Sequence, residues 1–79
     1  MYTLLLVDDH KIMRDGLRAI LKNSGEFDVV AEAETGHDAI ALARKLRPQL
    51  ILMDINLPGI SGIEATSEIV RHMPESKIV

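Results

Sequence analysis

The hydrophobic positions change period several times along the chain. Leu4-Leu5-Leu6-Val7 and Leu50-Ile51-Leu52-Met53 are short, continuous apolar runs bounded by polar residues. Each predicts a strand buried on both faces of a parallel sheet. After the first run, Asp9 or His10 opens a helix reaching to about Asn23. Met13, Gly16, Leu17, Ile20 and Leu21 form its inner face, and Lys11, Arg14, Arg18 and Lys22 its outer one. Asn23-Ser24-Gly25 is a helix-stop signal. Phe27, Val29, Ala31 and Ala33 then alternate with Asp28, Glu32 and Glu34, as in a strand at a sheet edge with one polar side. Thr35 is placed to cap a second helix carrying Ala39, Ile40, Ala43 and Leu46 inward, and Pro48 ends it. After the strand Leu50 to Met53 and a loop over residues 55–60, Ser61 caps a third helix. Its predicted inner face is Ile63, Thr66, Ile69, Val70 and Met73, and Met73-Pro74 breaks it. Lys77-Ile78-Val79 begins a fourth strand.

Such β-α-β-α-β-α-β alternation predicts parallel strands, right-handed crossovers and helices on both faces of the sheet. Both apolar strands run into acids: the first into Asp8-Asp9, the second into Asp54. If these strands lie side by side, the three carboxylates converge at the carboxyl edge of the sheet, where open α/β folds bind ligands. Two like charges about 4 Å apart repel by roughly 1 to 4 kcal/mol at the dielectric of water or of a protein surface. A hard divalent cation offsets this, and Mg2+ is the expected one, since it takes one or two carboxylates, several waters and a phosphate oxygen. Such a site suits phosphoryl transfer, with an Asp as the nucleophile. Asp54, alone at its strand end, is the candidate nucleophile, and Asp8-Asp9 the metal-holding pair. Each acid taken singly reads equally as a helix cap or turn residue, so the joint pattern carries the inference. His10, His37 and His72 are scattered without metal-ligand spacing, and His10 reads first as a helix-start residue.

Composition narrows the picture. A chain of 79 residues is at most one small domain. A net charge of −3 leaves no basic stripe for nucleic acid. With no cysteine, disulfides and thiolate chemistry are excluded. There is no secretory signal and no run long enough to span a membrane, so a cytoplasmic location is expected.

The segments Leu5-Leu6-Val7-Asp8-Asp9-His10, Met13-Arg14-Asp15-Gly16-Leu17, Ala31-Glu32-Ala33 with Gly36, and residues 52–62 closely resemble the receiver domain of bacterial two-component response regulators. The Val-Asp-Asp-His start and the Arg-x-Gly-Leu of the first helix resemble the LuxR/NarL-type transcriptional regulators. The resemblance implies a flavodoxin-like (CheY-like) doubly wound sheet in the order 2-1-3-4-5, here truncated after the start of strand four. It implies phosphorylation of Asp54 by a sensor histidine kinase. It further implies Mg2+ held by Asp8, Asp9, Asp54 and the backbone carbonyl of Asn56, with Asp9 the more direct ligand. The family's hydroxyl residue after strand four, its lysine after strand five and a DNA-binding output domain would all lie beyond Val79, so DNA is a partner only through a domain absent here. Loss of strand four is expected to leave Leu50 to Met53 as an open edge that invites self-association, or to leave the chain partly unfolded. Two other readings compete. A self-associating fragment without phosphotransfer would carry the same residues. A haloacid-dehalogenase-like phosphatase would need a second Asp at position 56, where this chain has Asn56.

Overall fold

The computed structural model describes residues 1–79. Its elements follow the expected order: β1 (Tyr2–Val7), α1 (Lys11–Ser24), β2 (Phe27–Ala33), α2 (Gly36–Leu46), β3 (Leu50–Met53), α3 (Gly62–His72) and β4 (Lys77–Ile78). The four strands form one parallel sheet in the order β2-β1-β3-β4. The predicted caps are in place. Thr35 Oγ1 accepts from the Asp38 N–H at 3.1 Å, Ser61 Oγ accepts from the Glu64 N–H at 3.2 Å, and Gly25 ends α1 at φ 74°.

β1 is central, and its side chains from Leu4 to Val7 are all buried. Leu5 and Val7 join Ile51, Met53, Ala39, Ala43, Ala65, Ile69 and Met73 in the main core, on the face covered by α2 and α3. Leu4 and Leu6 face α1.

β2 departs from the simple alternation. Its pairing with β1 slips by one residue, so that Leu4 faces Val29 but Leu5 faces Ala31, leaving Val30 as a bulge. A one-residue slip turns the following side chains to the other face. Phe27 and Val29 therefore lie on the α1 side and Ala31 and Ala33 on the α2 side, instead of all four sharing one face. The same slip delivers Glu32 to the α1 side.

The helix faces also differ in detail. In α1 the sheet-facing row is Arg14, Leu17 and Leu21; Arg14 is buried, whereas Met13 and Ile20 are exposed. A period of 3.6 sets the width of an apolar arc, and the tertiary contact chooses which flank of it faces inward. Here the Asp8 carbonyl just past β1, Glu32 on β2 and Glu34 just past it draw the Arg14 guanidinium inward. In α3 the buried row is Gly62, Ala65, Ile69 and Met73, while Ile63 and Val70 are exposed. The small side of that arc turns in because the helix start lies against the chain after β3. In α2, Ala39 and Ala43 are fully buried, Ile40 partly, and Leu46 lies at the exposed end.

β3 is not an open edge. The Lys77 N–H donates to the Gln49 carbonyl, the Val79 N–H to the Ile51 carbonyl, and the Met53 N–H to the Val79 carbonyl, at 2.9 to 3.0 Å. The three residues after Ser76 suffice to satisfy the outer side of β3, so the expected open Leu50 to Met53 edge is corrected. The sheet edge passes to the two residues of β4, and very short edge strands template other chains poorly.

Candidate functional site

Two strand ends converge as the parallel arrangement demands. The Asp8 N–H donates to the Ala33 carbonyl of β2 at 3.1 Å, and the Asp54 N–H donates to the Val7 carbonyl of β1 at 2.9 Å. Both acids thus continue the sheet ladder by one residue beyond the strands. One ligand atom from each of Asp8, Asp9, His10 and Asp54 lies within 4.8 Å of all the others. The three predicted acids do meet.

Their surroundings differ. Asp8 is buried; its Oδ1 accepts from the His10 N–H at 2.8 Å and lies 2.9 Å from His10 Nδ1. Asp9 is exposed, and its Oδ1 lies 3.0 Å from the same ring nitrogen. Asp54 is half-buried, and its Oδ1 accepts from the Asn56 N–H at 3.0 Å. This fold of the chain after Asp54 turns Asn56 back toward the carboxylate.

His10 does more than start a helix. It holds the N-cap position of α1 without a side-chain cap bond, and its ring lies between two carboxylates. Its pKa is raised, first by the hydrogen bond to Asp8 and then by the charge of Asp9; partial desolvation opposes this, and the Asp8 and Asp54 charges add smaller raising contributions. The triplet Asp8-Asp9-His10 gives this only as adjacency; ring placement depends on how the chain turns into α1.

Gly62 sets the far wall. A Cβ there would stand 2.2 Å from the Asp54 carbonyl oxygen and 2.6 Å from Ile55 Cα. Gly62 also donates its N–H to the Ile55 carbonyl at 3.0 Å. The start of α3 therefore rests directly on the backbone of Asp54 and Ile55. Pro58-Gly59 makes the intervening turn, with Gly59 at φ 79°.

Sequence reasoning missed Arg14. Its side chain crosses beneath the acidic turn; Nη1 donates to the Asp8 carbonyl at 2.6 Å, Nε to Glu32 at 3.2 Å and Nη2 to Glu34 at 2.9 Å. Arg18 donates to the other oxygen of Glu32 at 2.7 Å. The one available signal was the pair of acids ending β2, which could have suggested a cationic partner on α1.

Chemically, the cluster is dominated by hard donors, the carboxylate oxygens of Asp8, Asp9 and Asp54, with one borderline imidazole and no thiolate beside them. That set suits a hard divalent cation better than a thiophilic one. Together the doubly wound sheet and the acidic site at its carboxyl edge define a receiver-type α/β domain.

Comparison with known proteins agrees. The chain belongs to the response regulator receiver domain family, whose model matches residues 4–79. It is 41% identical over 76 residues to the transcriptional regulatory protein DegU of Brevibacillus brevis, a match covering 96% of this chain and 32% of DegU. It is 42% identical over 79 residues to the response regulator GacA of Pseudomonas aeruginosa, covering 100% of this chain and 37% of GacA. The chain thus spans about a third of the length of these relatives. The crystal structure of a LuxR-family two-component response regulator from Aurantimonas sp. SI85-9A1 superposes with a TM-score of 0.94 at 38% identity, covering 99% of this chain and 56% of that one. The expected family and its LuxR-type subgroup are both met. The phosphatase reading finds no support, since these relatives are response regulators. No helix is long and apolar enough to cross a membrane.

Proposed function

We propose that this chain is a phospho-acceptor domain that takes a phosphoryl group on Asp54 from the phosphohistidine of a sensor histidine kinase. The convergence of Asp8, Asp9 and Asp54 at the end of β1 and β3 carries the reading. An Asp54 carboxylate oxygen attacks phosphorus. The phosphorus–nitrogen bond of the donor breaks, its electron pair returns to the imidazole, which takes up a proton, and Asp54 is left as an acyl phosphate. Asp8, Asp9, Asp54 and the Asn56 carbonyl would hold Mg2+, which when bound supplies charge neutralisation for the phosphoryl oxygens. Asp9 and Asp54, the more accessible acids, suit direct ligation. Asp8, buried and engaged by His10, suits an orienting role. The Asn56 N–H on Asp54 Oδ1 leaves Oδ2 as the free attacking oxygen. The domain is regulatory, and in a longer parent protein it would control transcription from the cytoplasm through a DNA-binding domain, as the names of its relatives suggest.

The test is incubation with acetyl phosphate and Mg2+. The expected product is a hydroxylamine-sensitive phosphate on Asp54, absent without Mg2+ and absent in Asp54→Asn. No label on the wild-type chain, or label surviving Asp54→Asn, would refute the reading.

A further inference from the structure

We infer that Arg14 is a positioning residue for the cation site: it fixes the turn that aims Asp9, and the acids ending β2 hold it in place. The inference rests on the metal reading above.

Every polar group of Asp8 except one carboxylate oxygen is engaged. Its N–H goes to Ala33, its Oδ1 to His10, and its carbonyl to Arg14 Nη1. The carbonyl is the last group before the chain leaves the sheet, so whatever holds it sets the direction in which Asp9 departs. The Asp9 carboxylate is paired only with the exposed His10 ring. Its placement is therefore inherited from the Asp8 peptide. Arg14 is suited to the task because its side chain is only 8% exposed and its planar fork reaches three acceptors at once. The Val30 bulge matters as well, since it turns Glu32 toward α1. A device in β2 thus reaches the acidic site through one buried side chain.

Simple electrostatics predicts the opposite sign. A cation at position 14 near a metal site repels the metal, so removing it would tighten binding. Positioning predicts weaker binding, even when the charge is kept.

The experiment titrates Mg2+ alone into the wild-type chain, Arg14→Lys, Arg14→Gln and Glu34→Gln, following the amide shifts of Asp9, Asp54 and Asn56 by NMR. Amide hydrogen exchange of His10 is measured without Mg2+. Arg14→Lys and Arg14→Gln are expected to raise the Mg2+ Kd by about tenfold, the usual loss when a partner that orients a ligand is removed. Both should speed exchange at His10, whose N–H is held by Asp8 Oδ1, while the amide shifts of β3 stay in place. Glu34→Gln, which at an exposed site keeps an acceptor for Arg14 Nη2 but removes the charge that strengthens the bond, is expected to weaken Mg2+ binding less and decides the matter if the Arg14 variants do not fold. A role confined to stability would lower the thermal midpoint and leave the Kd of the folded chain unchanged. That result, or tighter binding in Arg14→Gln, overturns the inference while leaving the metal reading intact. No saturable shift in the wild type removes the metal reading and this inference with it.

Discussion

Gly62 offers the sharpest test of how the site is built. A methyl group at position 62 would meet the Asp54 carbonyl oxygen at 2.2 Å, Ile55 Cα at 2.6 Å and the Asp54 carbonyl carbon at 2.9 Å. All three are backbone atoms, so no rotamer change relieves the contact. Ordinary contacts lie near 3.5 Å, so the start of α3 and the chain after β3 must separate by roughly 1 Å. Overpacking of this kind costs about 1 to 3 kcal/mol, and a backbone-on-backbone clash belongs at the upper end. For a domain of this size, about 3 kcal/mol lowers the thermal midpoint by roughly 12 to 24 °C. The displaced carbonyl belongs to the proposed phospho-acceptor. A misplacement of about 1 Å slows a positioned reaction by about 100-fold, so Gly62→Ala should lose labelling by acetyl phosphate even at temperatures where it is folded. Gly16 in α1 is the control: a Cβ there has nothing within 4 Å. Gly16→Ala should raise stability by about 0.5 to 1 kcal/mol through helix propensity alone. Thermal denaturation by circular dichroism reads both. If Gly62→Ala melts within a few degrees of the wild type and is labelled at its rate, the close approach of α3 to Asp54 is not what shapes the site.

Two further outcomes are expected. The raised pKa of His10 means that its interaction with Asp8 and Asp9 stabilises the Mg2+-free fold fully below the unfolded value of 6.5 and fades as pH rises through the higher folded value. Denaturant titrations across that window should show wild-type stability falling as pH rises and a flatter profile for His10→Asn; equal slopes would discount the His10 contacts. Thr35→Ala removes the bond to the Asp38 N–H and should cost about 1 kcal/mol, read as a lower urea midpoint at unchanged slope, whereas an unchanged midpoint would show that the cap contributes nothing.

The order of elements, their caps and the three acids were legible in the sequence because each is a local property. A continuous apolar run must be buried on both faces, a Ser or Thr before a helical pattern satisfies free N–H groups, and an acid ending such a run must emerge at the sheet edge. Tertiary structure decided what periodicity leaves open. Alternation in β2 could not reveal the bulge at Val30, because the slip exists only relative to β1. The apolar arcs of α1 and α3 fixed neither which flank turns inward nor that Arg14 would, since burying a guanidinium depends on acceptors supplied by Asp8, Glu32 and Glu34. Ser61 was legible as the cap of the third helix, but only the packing shows that the glycine after it, Gly62, is needed where two backbones touch. The acids themselves were written in the chain; the arrangement that holds them came from residues distant in sequence, whose contacts form only when the sheet and its helices pack together.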